Sequence, residues 1–291
     1  MLKIRKTLVF FCLLILSCSC IQIPAYTAAA KTSYFTSLQR RLVKDGFDKK
    51  RTLKLYMSKN VYFETRGVSL YFVHKEGKLN YGQHTEKERI WEARKYMKAH
   101  RTELINAEKA FGVDRKIITA IILVETGFGT NIGKRFVFNT LSTMASLADI
   151  RVRNMLWKKI SGSTRLTRKE FEEKANSKSE WAYNELKAFL RYTASEKINP
   201  LKIKGSYAGA MGICQFMPSN ILTLARDGNR DGRIDLFNHA DAIMSIACYL
   251  NYYGWHPGID SKKAYEVVYQ YNHSKYYVNT ILEIARLLKR K

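Results

Sequence analysis

The hydrophobic and polar positions change their period along the chain, and each change predicts an element. Residues 34–59, around LQRRLVKDGF and RTLKLYMS, read as helical. Residues 60–82, NVYFETRGVSLYFVHKEGKLNYG, switch to β-branched and aromatic residues punctuated by glycine, the one region with a strand signal. Residues 85–111 return to a charged helical pattern in which Ile90, Trp91, Ala93, Met97 and Ala99 alternate with polar positions. Residues 113–129, VDRKIITAIILVETGFG, are apolar almost all round from Ile117 to Val124. A helix of that kind is buried. Asp114 is its predicted N-cap, and Gly127 and Gly129 are its stop signals. The basic, polar stretch 158–180 reads as an insertion or surface excursion. Residues 205–219, GSYAGAMGICQFMPS, hold too much glycine for a helix interior and too little β-branching for a strand. Such a stretch is either a backbone that something must approach closely or a glycine-rich turn between helices. The pattern as a whole predicts a mainly α protein with a small β element.

Composition adds a core and a charge. Of the 291 residues, 46% are hydrophobic and 12% aromatic, enough for a sizeable core rather than a disordered chain. Lys and Arg number 50 against 25 acids, a formal charge of +25. That surface favours polyanions: nucleic acid, an anionic membrane or a cell-wall polymer. The N-terminus chooses among them. MLKIRK is basic, TLVFFCLLILSCSCIQI is apolar, and PAYTAAAK supplies small residues, the order of a secretory signal over residues 1–30 with cleavage after Ala30. Two variants stand beside it: a lipoprotein signal ending at Cys18 or Cys20, and an uncleaved membrane anchor. All three place the rest of the chain outside the cytoplasm, in the periplasm or outer envelope, which disfavours nucleic acid as a partner. Beyond that segment only Cys214 and Cys248 remain. They either pair or lie buried as free thiols.

Three segments carry candidate chemistry. Glu125 follows the apolar run at once, at the C-terminal end of a buried helix. The helix dipole and burial both disfavour its ionised form, as a general acid requires. The competing reading has Glu125 facing solvent or pairing with one of many arginines. The second segment, RDGNRDGRIDLFNHADAI, matches the start of an EF-hand loop: Asp227, Asn229, Asp231 and Gly232, with Arg233 offering a backbone carbonyl. Asn238 stands where the closing Glu is usual, and Asp241 is the carboxylate that a longer loop would use for a weakly held, structural Ca2+. The competing reading is an Asx-rich turn without metal. The third segment, YEVVYQYNHSKYYVNTILEIARLL, sets tyrosines and Asn272 before an apolar helix. Aromatic faces beside amides suit sugar rings; a tyrosine-rich core is the alternative.

In this order the motifs VETGFG, GSYAGAMG-x-x-QFMPS, DGNRDGRIDL, DAI-x-S-x-A-x-Y, GW and YN-x-S resemble the membrane-bound lytic murein transglycosylase B family over roughly residues 36–290. The resemblance implies a lysozyme-like catalytic core with an additional helical region, spanning residues 34–291. It implies Glu125 as the catalytic acid/base. It implies Ser206 and Gln215 beside that acid, and Tyr249 and Tyr271 as groove tyrosines. With Tyr207 and Asn272 these form the candidate substrate-binding set. Small residues in 205–219 would let a glycan chain lie against the backbone. The sequence departs from the family pattern in a longer 150–200 stretch and in Cys214, which stands where glycine is usual.

The implied activity is lytic cleavage of the β-1,4 bond between N-acetylmuramic acid and N-acetylglucosamine in peptidoglycan, leaving 1,6-anhydromuramic acid ends and needing no cofactor for the chemistry. Ordinary glycosidases use two carboxylates, and no second carboxylate lies in the groove motifs. The alternatives are a hydrolytic muramidase and a non-catalytic cell-wall binding protein. A nucleic-acid binder lacks any recognisable module in this sequence. The expected partners are peptidoglycan strands and, through the N-terminus, a membrane; the expected state is a monomer.

Overall fold

The computed structural model describes residues 34–73 and 81–289. The predicted signal in residues 1–30 lies outside the described residues. Three short helices open the described chain: α1 (Thr36–Lys44), α2 (Lys49–Tyr56) and α3 (Thr65–Val73). A 3-10 turn (Tyr81–Thr85) leads into α4 (Lys87–Ala99), α5 (Arg101–Phe111) and α6 (Arg115–Thr126). Strand β1 (Arg135–Phe136) precedes α7 (Val137–Ser146), α8 (Ile150–Ile160) and α9 (Arg168–Ser195). Strand β2 (Lys204–Gly205) is followed by α10 (Pro218–Leu224), α11 (His239–Tyr252), α12 (Ser261–Tyr271) and α13 (Lys275–Lys289).

Helix α6 is the axis of the site-bearing half. Asp114 caps it by accepting the Lys116 N–H at 2.8 Å. Residues Ile117 to Leu123 are buried on every face. Helices α5, α11 and α13 surround it, α13 packing along its length. Gly127 ends it in the left-handed conformation at φ 53°, which a side chain would disfavour.

The strand expectation for residues 60–82 is corrected. Among its described residues no strand forms; Thr65–Val73 is a helix and Tyr81–Thr85 a 3-10 turn. Residues 74–80 lie outside the described residues. Val68 and Phe72, four residues apart, are both buried, and α3 packs on α7 and α8. A helical face burying two large side chains outweighs a weak β-propensity. The small β element lies elsewhere: β1 and β2 pair antiparallel, Arg135 opposite Gly205, and bridges run from Gly205 to Met211 and from Met211 to Phe216.

The stretch 158–180 is largely exposed or half-buried between Lys158 and Arg168, but from Phe171 onward it turns a face to the core. It completes α8 and enters α9, 28 residues long, whose Phe171, Ala175, Ala182, Leu186 and Phe189 are buried. Helix α9 packs along α7 and on α10. A capping box at Thr167 and Glu170 starts it, with Thr167 N–H donating to Glu170 Oε2 at 2.7 Å. Cys214 and Cys248 are buried free thiols. No described helix is long and apolar enough to cross a membrane.

Candidate active site

The last turn of α6 and the 205–219 segment are bonded to each other, and that places Glu125. Thr126 Oγ1 donates to the Ile213 carbonyl at 2.9 Å and accepts the Gly129 N–H at 3.0 Å. Gln215 Nε2 reaches back to the Gly212 carbonyl at 2.8 Å and across to the Ile132 carbonyl at 3.3 Å. Gln215 holds this position at φ 50°, a left-handed conformation uncommon for a residue with a long side chain. A Cβ on Gly205 would lie 2.1 Å from the Ala210 carbonyl oxygen. This glycine serves the protein's own tight turn; the small residues that face the cavity are Ala208 and Ala210.

The segment, α3, α6, α9 and the start of the α12–α13 junction enclose an open cavity of about 480 Å³. Glu125 lines it together with Ser206, Tyr207, Gln215, Tyr271 and Asn272, so five of the six predicted substrate-binding residues meet the predicted acid. Tyr249 does not line it. Its ring is buried behind Tyr271, 4.8 Å away and edge-on, and its hydroxyl donates to the Gln270 carbonyl at 2.6 Å. Tyr249 supports the wall rather than forming it. Tyr271 itself donates to the Cys214 carbonyl at 2.6 Å, which fixes its ring against the 205–219 segment. Ser206 Oγ accepts the Ala208 and Ala210 N–H groups at 3.2 and 3.1 Å. Both acceptor positions of the hydroxyl are thereby used, which leaves its proton for a ligand.

Glu125 is the only carboxylate lining this cavity among the described residues. Its pKa is pushed up to about 7 by burial. Tyr277, fully enclosed in α13, opposes that shift: its hydroxyl donates to Glu125 Oε1 at 2.7 Å. Tyr277 was not among the residues picked out from the sequence. Its signal was periodicity: Tyr277, Ile281, Ile284 and Leu288 form the buried stripe of α13, whereas Tyr276 is 55% exposed. Tyr71, Tyr81 and Lys174 complete the lining and were also missed. Asp149 lies elsewhere. It caps α8 and binds Arg151 and Ser37; the Arg151 contact lowers its pKa, so it remains ionised.

Other hollows are larger, about 530 Å³ beside Trp255 and Pro257 and about 730 Å³ beside Trp91. Chemistry, not volume, selects the third. The carboxylates of the first hollow are engaged, Asp114 as a helix cap and Glu108 with Arg115.

The loop 227–241 is ordered by its own acids. Asp227 accepts the Asp231 and Gly232 N–H groups, and Asp231 accepts that of Arg233. Asp241 is 1% exposed, and its two oxygens accept the N–H groups of Gly228, Asn229 and Asp235. Asn238 caps α11. Among the described residues no three His, Cys, Asp or Glu side chains cluster as metal ligands. The oxygen donors Asp227, Asn229, Asp231 and the Arg233 carbonyl still fit a hard cation in kind. Asp241 does not fit as the closing ligand, because backbone amides hold both of its oxygens.

Known proteins share this architecture. The E. coli K12 membrane-bound lytic murein transglycosylase B is 34% identical over 155 residues, 53% of this chain. The match covers 36% of that relative, about a third of its length. The soluble lytic transglycosylase SltB1 from Pseudomonas aeruginosa superposes with a TM-score of 0.71 at 23% identity, over 87% of this chain and 97% of that one. The E. coli lytic transglycosylase Slt35 in complex with calcium gives a TM-score of 0.67 at 20% identity, over 89% of this chain and 93% of that one. These likenesses establish the mostly helical, lysozyme-like fold of lytic transglycosylases. The profile of the transglycosylase SLT domain matches residues 30–264, and the chain belongs to that family.

Proposed function

We propose that this chain is a peptidoglycan lytic transglycosylase, cleaving the β-1,4 bond between N-acetylmuramic acid and N-acetylglucosamine. One observation carries the reading: among the described residues a single carboxyl, its pKa pushed up to about 7 by burial, lines a cavity walled by tyrosines, side-chain amides and a serine, on a family scaffold. Glu125 gives its proton to the glycosidic oxygen, and the C1–O bond breaks with its electron pair going to that oxygen. The resulting carboxylate then takes the proton of the muramic acid C6 hydroxyl as O6 bonds to C1. No water is consumed, and Glu125 ends protonated as it began. A group poised near neutral pH serves both steps. Ser206, Gln215 and Asn272 supply hydrogen bonds to the sugars, and Tyr207 and Tyr271 supply faces for their apolar C–H surfaces.

The finer assignments rest on the same reading. Export through residues 1–30 brings the chain to its wall polymer in the envelope, with a membrane as partner where the N-terminus keeps a lipid or anchor. The catalytic region spans residues 34–291 and works as a monomer. Asp227, Asn229, Asp231 and the Arg233 carbonyl would hold a Ca2+ weakly, and the cation would stiffen the loop before α11. The chemistry itself draws only on Glu125 and the substrate's hydroxyl.

The test is the product. Digestion of purified peptidoglycan is expected to give muramic acid ends lighter by one water than a hydrolysis product and inert to borohydride. Reducible ends from the purified protein would replace this reading with hydrolysis, and no released fragments at all would point to a wall-binding protein.

A further inference from the structure

A strip of rings and ammonium groups runs from the mouth of the cavity along the first half of α9. Tyr71 and Tyr207, both lining the cavity, lie 6.4 Å apart between ring centroids. Tyr71 stacks on Trp181 at 6.3 Å and 26°. Lys174, Lys178 and Trp181 share one face of α9, beside its buried stripe of Phe171, Ala175 and Ala182. Lys174 Nζ donates to the Tyr71 carbonyl at 3.3 Å and lies 5.6 Å from the Tyr71 ring. Lys178 Nζ lies 5.5 Å from that ring and 5.3 Å from Trp181. Two ammonium groups thus crowd one tyrosine. Among the described residues neither pairs with a carboxylate; Glu172 and Glu180 of the same helix pair instead with Arg168 and Arg41. Burial and the charge of Lys178 both lower the pKa of Lys174. Like charges held together, partly stripped of water, are relieved by an anion between them.

We propose that Lys174, Lys178, Tyr71 and Trp181 form a subsite for the carboxylates of a stem peptide on the bound glycan strand. The proposal rests on the peptidoglycan reading above and adds a recognition element to it. Charge favours the peptide over the sugar's own substituents. Lys174 is at the cavity wall, Lys178 is one turn farther, and Trp181 is about 10 Å along the helix from Lys174. A glycan strand covers that length as well, but in an intact strand its lactyl carboxyls are tied up as amides and its sugars are neutral, so the peptide's carboxylates are the anions that the ammonium groups can take. The ring faces take the peptide's aliphatic parts, and the ammonium groups take its carboxylates. The strip also gives a use to a basic segment that contributes nothing to the chemistry at Glu125.

The test compares three substrates: glycan strands with intact stems, strands with stem carboxyls capped as amides, and strands stripped of peptides by an amidase. The wild-type protein is expected to favour intact over capped strands by about tenfold, mainly in KM, the scale of one or two charge-assisted hydrogen bonds. The double variant Lys174→Gln/Lys178→Gln should reduce that preference to near unity, and Lys174→Arg/Lys178→Arg should restore it. A wild-type ratio of unity, or a preference that survives the double Gln variant, overturns the proposal. A preference for stripped strands that the Gln variant loses assigns the strip to the lactyl carboxylate and overturns the peptide assignment. Should no strand be cleaved, the transglycosylase reading fails; the same ratios read as binding to the three strands then still decide the subsite.

Discussion

Glu125 carries a stability cost whose pH dependence is measurable. Its folded-state pKa of about 7 lies above the ordinary 4.5. The folded protein therefore holds this proton more tightly than the unfolded chain. The stabilising contribution is complete below about pH 4.5 and is lost as pH rises through 7. Above 7 the enclosed carboxylate costs about 3 kcal/mol relative to its neutral form. Glu125→Gln is expected to melt with the wild type near pH 4.5 and above it at pH 8, while turnover of peptidoglycan falls by at least about 10²-fold. Melting curves at the two pH values check the first part; a variant less stable at pH 8 would contradict an enclosed, costly carboxylate. Glu125 was legible in the sequence because an apolar run ended on it. Tyr277 was not, because Tyr276 and Tyr277 are chemically identical until the burial stripe of α13 separates them.

At the scale of elements, sequence patterns succeeded where burial ran along one helix and failed where a partner helix decided. Helix α6 and its Asp114 cap follow from local chemistry alone. Residues 65–73 looked like a strand because their β-branched and aromatic residues report only a preference; α7 and α8 determine which face they bury. The polar run of α9 disguised a core helix because its buried positions are spaced at four and seven residues within basic sequence. The acidic loop before α11 was legible as a motif but not as a bonding pattern, since nothing local shows that Asp241 accepts three backbone amides. That bonding bears on Ca2+. With Asp241 engaged, the cation relies on Asp227, Asn229, Asp231 and one carbonyl, and affinity should be weak. At a tenfold excess over Kd, binding stabilises the fold by about 1.4 kcal/mol. Melting in millimolar Ca2+ is expected to exceed melting in excess chelator by a few degrees, and Asp227→Asn to abolish the difference. Equal melting temperatures for the wild type would mean an Asx-ordered turn without a cation.

The whole molecule adds charge to this geometry. Fifty basic residues against 25 acids give the chain a formal charge of +25, a long-range positive field that no single contact accounts for. The motif order in the sequence was enough to place the fold within its family, but the direction in which that field works depends on which basic residues lie unpaired around the cavity. Lys174 stands at its wall, and Lys178 lies a turn beyond it on α9. A wall polymer bearing many carboxylates should be captured by that field at low ionic strength and released as salt screens it. The Debye length shrinks from about 10 Å at 0.1 M to about 3 Å at 1 M, so the far charges are silenced before the contacts inside the cavity are. Between 0.05 and 0.5 M salt, KM on intact sacculi is therefore expected to rise by about tenfold or more, with kcat little changed, because protonation at Glu125 occurs within the cavity. Uncharged chito-oligosaccharide binding, measured in the same salts, should stay nearly flat. A flat KM on sacculi would mean that the charge serves solubility or anchoring rather than capture. A salt response equal for both ligands would place its cause in the stability of the fold.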